Sequence, residues 1–392
     1  MLRTATIMLA VTVIISVLLM MHLYIYRRIV SLFALSRNGW FLAAFLLLAV
    51  CFPIAMFLSR TVAGPAVRVF YWMSAAWFGF IFLGLAVFGP IHLAETLFRL
   101  VPYPLPLKLW GWMSIGLTLV IGIYGLINAA VIRNTEVTIG LKKFKGPKTT
   151  IVLLTDIHAG AVYRPEYLEK IVARTNALKP DLVAIAGDLF DGSAQPEYRM
   201  VQPLEKLEAP AFFVTGNHEI YEGVDITTAL VARTGVTVLR NQVVRRNGLQ
   251  IAGIDAPSRD SRKNPAVSDL SAQFDRTQPV VLLYHIPLGL DEARAAGVDL
   301  QLSGHTHNGQ IFPFTLIMPL VYKFYKGLGR EVRETYIKQN PSTMLALVQQ
   351  SGINKQDDFF VYVSQGVGSW GPPMRIGTRS EIVKITLVPA EM

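Results

Sequence analysis

Four apolar stretches in the first third of the chain limit what it can fold into: Ala5–Tyr26, Trp40–Leu58, Val69–Leu93 and Trp110–Ile132. Each is long enough to supply the roughly 20 residues with which a helix crosses the hydrocarbon core of a bilayer. A chain in that environment must satisfy its own backbone hydrogen bonds, so the stretches are expected as helices. A cleaved signal peptide does not explain the first of them, because its apolar core is too long and no clear small-residue cleavage site follows. Trp40, Trp72, Trp110 and Trp112 lie near the expected ends, where interfacial aromatics sit. Pro53 and Pro90 are expected to kink or end their helices. No Asp, Glu, Lys or Arg falls inside the four stretches, and His22 and His92 read as interfacial or bundle-packed. A conduit needs buried polar groups along its path, so the pattern favours an anchor.

Charge divides the chain in the same place. Residues 1–134 hold nine Lys/Arg and one acid, Glu95, whereas residues 135–392 hold 28 basic and 26 acidic residues. The formal net charge of +10 therefore belongs mostly to the apolar region, as expected of basic residues flanking membrane spans. No basic stripe marks the remainder, and no nucleic-acid partner is expected. Four spans put both termini on one side, with Arg3, Arg60, Arg68, Arg133, Lys142, Lys143, Lys145 and Lys148. Arg27, Arg28, Arg37, Arg99 and Lys108 lie on the other. The excess points to cytoplasmic termini in a multi-pass protein of the inner (plasma) membrane, with membrane lipids as partners. Cys51 is the only cysteine, so the fold depends on no intrachain disulfide.

From Glu136 the pattern changes to short apolar strands alternating with helices. Thr149–Thr155, Asp181–Ala186, Ala211–Thr215 and Val280–Tyr284 read as strands, and Pro165–Leu178 as an amphipathic helix. Asn247-Gly248 turns a hairpin between Gln242–Arg246 and Leu249–Ile254. Several buried strands with helices between them indicate a layered α/β domain over 135–392, behind a transmembrane region over 1–134.

Chemistry gathers where the strands stop. Five of the seven histidines, His158, His218, His285, His305 and His307, follow apolar strands, together with Asp156, Asp188 and Asn217. In Gly304-His305-Thr306-His307 the two imidazoles are spaced so that an extended segment points them the same way, roughly 6.5–7 Å apart. Gly304 permits close backbone approach there. Strand ends along one sheet edge are where α/β folds build their sites. The oxygen and imidazole donors exceed one metal's needs but fit two ions sharing a bridging carboxylate. Ions about 3.5–4 Å apart can clamp a phosphoester and neutralise charge on its leaving oxygen. The mixed donor set suits Mn, Fe or Zn better than Ca.

Asp156-x-His158, Gly187-Asp188-x-x-Asp191, Gly216-Asn217-His218-Glu219, His285 and Gly304-His305-x-His307 together resemble the signature of calcineurin-like metallophosphoesterases, in order and spacing, from about Thr149 to Gln310. The stretch Tyr362–Gly368, continued through Arg375 to Glu381-Ile382, is similar to the bacterial membrane-anchored branch of that family. The resemblance implies a two-layer β-sandwich flanked by helices, with metals between the sheet edges. It implies a first metal held by Asp156, His158, Asp188 and His307. It places a second on Asp188, Asn217, His285 and His305, with Asp188 bridging. His218 matches a histidine that is not a ligand but steadies the phosphoryl group or protonates the leaving group, and Asp191 matches its acidic partner. Such an enzyme hydrolyses a phosphodiester, pyrophosphate or phosphomonoester bond. A lipid-linked or membrane-proximal substrate is expected, with the pyrophosphate of a nucleotide-activated acyl sugar as one specific case. The alternative is a membrane scaffold or receptor that uses the fold for partner binding without turnover.

Departures from the pattern are few. Glu219 stands where Asp is commoner, and Asn308 where relatives often have Gly; little consequence is expected of either. Gly192 replaces an Arg that grips phosphate in Ser/Thr protein phosphatases, which argues against that activity. Glu331–Asp358 reads as an insertion. Phe314–Leu328 is apolar apart from Lys323 and Lys326, which suits a lipid-accepting mouth, a bilayer surface or core packing alike. Arg375 reads as a phosphate contact or a surface residue.

Overall fold

The computed structural model describes residues 2–98, 100, 106–257, 266–323, 352–356 and 358–390. It divides into two compact units, one of residues 1–128 with 371–376, the other of 129–370 with 377–392.

The first unit contains α1 (Leu2–Phe33), α2 (Gly39–Thr61), α3 (Pro65–Phe98) and α4 (Leu107–Ala130), all long and apolar enough to cross a membrane. Asn38 starts α2 by accepting the N–H groups of Trp40 and Phe41 on its side chain, which satisfies two of the donors a helix start leaves open. Pro53 and Pro90 end neither helix; both lie inside α2 and α3. Ile25, Tyr26, Leu32, Phe45, Ile81 and Phe88 form the apolar core.

Two findings depart from expectation. The helices run past the apolar stretches, so α1 carries Arg28 and α3 carries Glu95 into the bundle, where they form an ion pair with side chains only 6% and 1% exposed. Nearby polar groups are paired as well. His22 Nδ1 donates to the Leu18 carbonyl at 2.8 Å, and its Nε2 accepts from Trp77 Nε1 at 3.0 Å. Arg375, for its part, is fully buried rather than a surface residue. Its segment, Gly371–Ile376, packs in this unit. There the Arg375 N–H donates to the Gly125 carbonyl, and Asn128 Nδ2 donates to the Arg375 carbonyl.

Among the described residues, the second unit contains twelve strands: β1 (Ile132–Leu141), β2 (Thr149–Leu154), β3 (Leu182–Ala186), β4 (Ala211–Val214), β5 (Thr237–Val238), β6 (Gln242–Arg246), β7 (Leu249–Ile254), β8 (Val280–Tyr284), β9 (Leu300–Ser303), β10 (Gly352–Gln356), β11 (Phe359–Val363) and β12 (Ser380–Pro389). They form two six-stranded sheets, ordered β1-β12-β2-β3-β4-β5 and β10-β11-β9-β8-β7-β6. Both are mixed: β2, β3, β4 and β5 run parallel, as do β7, β8, β9 and β11, while β12 against β2, β6 against β7 and β10 against β11 are antiparallel.

Alternation along each strand sets the layers. Ile151, Leu153, Leu182 and Ala184 from one sheet meet Ile251, Val281, Leu283 and Leu300 from the other in a shared core. The intervening Val152, Leu154, Val183 and Ile185 pack outward against Leu168, Ile171 and Val172 of the helix Pro165–Ala177. On the outer face of the second sheet, Leu282 and Ile254 join Val267, Leu270 and Ala293 from short helices. Both faces of the central strands are therefore apolar and buried, which is why those strands read as nearly continuous apolar runs. The architecture is the α/β two-layer sandwich flanked by helices that the pattern implies. The insertion expected over 331–358 lies outside the described residues as far as 351, after which β10 pairs with β11.

Candidate metal centre

The carboxyl ends of the parallel strands supply the site: β2 leads to Asp156 and His158, β3 to Asp188, β4 to Asn217 and His218, β8 to His285, and β9 to His305 and His307. Aiming these side chains inward requires the chain to turn abruptly. Asp156 (φ 53°), His158 (53°), Asp188 (52°), His305 (70°) and His307 (47°) all occupy the left-handed region, where a residue with a Cβ sits at a cost of order 1–3 kcal/mol and persists only if its surroundings hold it there. Gly304 explains how the His-x-His loop comes so close. A Cβ there would lie 2.2 Å from Asp156 Oδ2, whereas glycine lets the His305 N–H donate to both Asp156 oxygens at 3.1 Å.

The donors converge. Ligand atoms of Asp156, His158 and His307 lie within 4.8 Å of one another, and so do those of Asp188, His285 and His305. A third group of the same size joins His158 and Asp188 to His218. His158 Nε2 and His307 Nε2 stand 3.0 Å apart, and Asp156 Oδ1 is 3.3 Å from the latter. Asp188 Oδ2 is 3.1 Å from His285 Nε2, and its other oxygen takes the His218 N–H at 2.9 Å. His285 Nδ1 donates to the Ala186 carbonyl at 2.7 Å, which fixes the tautomer and turns Nε2 toward Asp188. Asn217 Oδ1 is buried and accepts no hydrogen bond.

The electrostatics say what is needed at the centre. Burial, and then the charge of Asp188, push the Asp156 carboxyl up to about 6. Burial would also raise Asp188, but the charge and hydrogen bond of His285 outweigh it and hold that carboxyl far below the usual range. Despite burial, Asp188 and Asp156 draw a proton onto His285, whose pKa is pushed up to about 10. His305, desolvated and beside His285, falls to about 4. Two buried carboxylates facing clustered imidazoles thus demand positive charge. Asp oxygens, imidazole nitrogens and an unused amide oxygen form a donor set that fits divalent transition metals in place of that proton.

The calcineurin-like phosphoesterase profile matches residues 149–309, the segment that carries every one of these donors. An uncharacterized metallophosphoesterase of Aquifex aeolicus is 30% identical over 280 residues, which cover 69% of this chain and 97% of that one. The chain is a calcineurin-like metallophosphoesterase. A Helicobacter pylori metallophosphoesterase, also described as uncharacterized, is 32% identical over 244 residues, or 61% of this chain. The match spans only 60% of that relative's length. A "transmembrane protein with metallophosphoesterase domain" from Danio rerio is 31% identical over 299 residues, covering 71% of this chain and 62% of its own. Membrane helices and the phosphoesterase domain thus occur together among relatives, and the family points to metal-dependent phosphoester hydrolysis.

Around the metallophosphoesterase centre, two contacts differ from what the motifs imply. The partner of His218 Nδ1 is the main-chain carbonyl of Asp191, at 3.0 Å. The Asp191 carboxylate instead accepts the Ser193 N–H at 2.6 Å and the Ser193 hydroxyl, packed where a Cβ on Gly160 would collide with it. Glu219, of which little was expected, knits the site together. Its buried carboxylate accepts the N–H groups of Asp188 (3.0 Å), Leu189 (2.9 Å), Phe190 (3.2 Å) and Gly216 (2.6 Å), so one side chain holds the loops bearing Asp188 and Asn217. Its position right after Asn217-His218, on the short helix Asn217–Glu222, was the only signal in the sequence. Beyond the His-x-His loop, Phe314, Leu316 and Ile317 are exposed, so core packing does not describe these three. Phe314–Leu328 is described only as far as Lys323.

Proposed function

We propose that this chain is a membrane-tethered dinuclear hydrolase that cleaves a phosphodiester, pyrophosphate or phosphomonoester bond. Residues 1–134 serve as the anchor and 135–392 as the catalytic domain. The observation that carries the reading is the convergence of two carboxylates and four imidazoles, from four strand ends, on one cluster, with the Asn217 amide oxygen from a fifth strand end buried and unused. Asp156, His158, Asp188 and His307 would hold one divalent ion, and Asp188, Asn217, His285 and His305 the other, with Asp188 shared. Bound there, two cations would supply a Lewis-acid clamp that neutralises charge developing on the phosphoryl and leaving oxygens. Manganese, iron or zinc would suit this donor set.

His218 does the proton work in this scheme. A carbonyl can only accept, so Nδ1 must donate to Asp191; Nε2 then carries a proton only in the imidazolium form. That form can steady phosphoryl charge and release a proton to the leaving oxygen. Asp191 keeps the ring oriented through its main chain. Glu219 and the Asp156 contact with His305 hold the donors in place, so little reorganisation accompanies reaction.

A lipid-linked or membrane-proximal substrate is supported by the four long apolar helices and by the exposed Phe312, Phe314, Leu316 and Ile317 beyond the histidine loop. A nucleotide-activated acyl sugar pyrophosphate is one such substrate. An unused buried amide oxygen within an intact donor set argues against a scaffold that merely keeps the fold. The charge flanking the spans favours the inner membrane with a cytoplasmic catalytic domain, so a reporter fused after Met392 should read as cytoplasmic. Periplasmic or extracellular activity of that reporter would overturn the placement.

The test of the whole reading is turnover. Purified full-length protein with Mn²⁺ should release nitrophenol from mono- or bis(4-nitrophenyl) phosphate, a nucleoside monophosphate from nucleotide-sugar pyrophosphates, or phosphate from lipid extract, and lose activity on chelation. Metal-independent hydrolysis, or none with any ester class, would refute it.

A further inference from the structure

Two large aromatic side chains flank His218, and the metal centre uses neither. The Tyr221 ring lies 5.6 Å from the imidazole, centroid to centroid, and the Trp370 ring 6.1 Å from it, both inclined to its plane. His218 itself is only 8% exposed, whereas Tyr221 is 63% and Trp370 55% exposed. Single exposed aromatics are ordinary on a protein surface. Two that bracket the same buried imidazole, from positions 149 residues apart in the chain, are not a scatter of surface residues.

Trp370 is also held in place. Its main-chain N–H donates to Gln310 Oε1 at 2.9 Å, and Gln310 Nε2 donates back to the Trp370 carbonyl at 3.0 Å. Gln310 follows His307 by three residues and is itself buried, with its carbonyl taken by the Thr378 hydroxyl at 2.8 Å. The loop that carries His305 and His307 therefore sets the position of Trp370. Tyr221 lies on the same short helix as Asn217 and His218. Both residues are thus coupled to the donor loops, and both side chains are largely exposed.

We infer that Tyr221 and Trp370 are specificity-determining residues that receive a planar ring borne by the substrate beside the phosphoryl group that His218 serves. The inference rests on the phosphoesterase reading and names the substrate class within it: phosphoesters carrying an aromatic or heteroaromatic ring. Flat side chains with few rotatable bonds lose little entropy on stacking and recognise any π-face, independently of its hydrogen-bonding edge. Aliphatic chains gain nothing from that flatness beyond burial.

The experiment titrates metal-loaded, full-length protein by calorimetry with two phosphates that differ only in the ring, adenosine 5′-phosphate and ribose 5-phosphate. Wild type should bind the nucleotide about tenfold more tightly, within the range that stacking on an aromatic platform provides. Tyr221→Ala and Trp370→Ala should each erase most of that preference while leaving ribose 5-phosphate affinity and metal content unchanged. Tyr221→Phe and Trp370→Phe should restore it. Equal affinities in wild type, or a preference that survives both alanine variants, would overturn the inference. So would an equal loss for both ligands, which marks a structural role. Decyl phosphate that binds as tightly as the nucleotide and suffers equally in the variants would show a generic apolar contact, again contradicting ring selectivity. Should ribose 5-phosphate bind without a ring preference, only this inference falls. Should neither phosphate bind and no ester be hydrolysed, the phosphoesterase reading falls with it.

Discussion

Both units of this protein bury charge, and they do so in opposite ways. Among the helices, Arg28 and Glu95 meet as one pair of opposite sign. Each charge answers the other, although Arg28 Nε stays buried without a hydrogen-bond partner. In the sandwich, Asp156 and Asp188 are buried among imidazoles whose donor atoms crowd toward common points. There the charge is balanced only by a proton on His285 or by cations from outside. The difference separates a structural ion pair from a binding site: compensation is complete in one and left open in the other.

The largest effect should come from disturbing the open cluster at its shared carboxylate. Asp188→Asn removes negative charge from both halves, and kcat should fall by at least about 10³, the order of the transition-state stabilisation a metal supplies. Circular dichroism should show the protein still folded, and elemental analysis should show metal lost. Near wild-type turnover with unchanged metal content would contradict the two-metal assignment.

His218 sharpens the distinction between holding metal and moving protons. His218→Ala should lower kcat by about 10²–10⁴, typical for removal of a general acid, with metal content at the wild-type level. The loss should shrink for nitrophenyl esters, whose leaving group needs no proton. Disappearance of one metal equivalent would make His218 a ligand, in keeping with its approach to His158 and Asp188. Equal losses across leaving groups would favour phosphate positioning instead.

The closed pair should behave differently. Arg28→Ala or Glu95→Ala alone strands a buried charge and should destabilise the protein by about 3–5 kcal/mol, whereas Arg28→Met with Glu95→Leu should recover most of that. Thermal unfolding in detergent reads both outcomes, and kcat of the protein that stays folded should not change. A double variant no more stable than the singles would show that the pair is not self-contained.

The smallest effects concern groups that act through others. Glu219→Gln exchanges one carboxylate oxygen for an amide NH₂ facing backbone N–H groups, and metal affinity should drop by about 10–100-fold, as for other outer-shell partners. Asp191→Asn should cost less than about tenfold in kcat, because the His218 contact is to the main chain. Metal titrations followed by activity measure the first, and kcat on an alkyl phosphate the second. A loss for Asp191→Asn as large as that for His218→Ala would return the orienting role to its carboxylate.

Much of this was written locally in the chain. Each apolar run ends in its own short cluster of donors, so Asp156, Asp188, Asn217, His285 and His305 could be singled out one strand at a time. Short apolar runs located β2, β3 and β8, whose inward and outward residues pack into separate cores. Apolar length alone marked the four long helices, although not how far α1 and α3 extend beyond the apolar stretches. Pairings across long separations were not legible. Arg28 and Glu95 are 67 residues apart, and nothing near either one announces the other. His158 and His307 meet across 149 residues, and Trp370 finds Gln310 across 60. Glu219 looked like a neutral substitution because its four hydrogen bonds go to backbone N–H groups, and every residue but proline carries one. The chain by itself determined which chemical groups the site contains, since strand pattern and motif are properties of neighbouring residues. Only the tertiary structure decided which of them face one another, because those contacts depend on how the two sheets bring distant segments together.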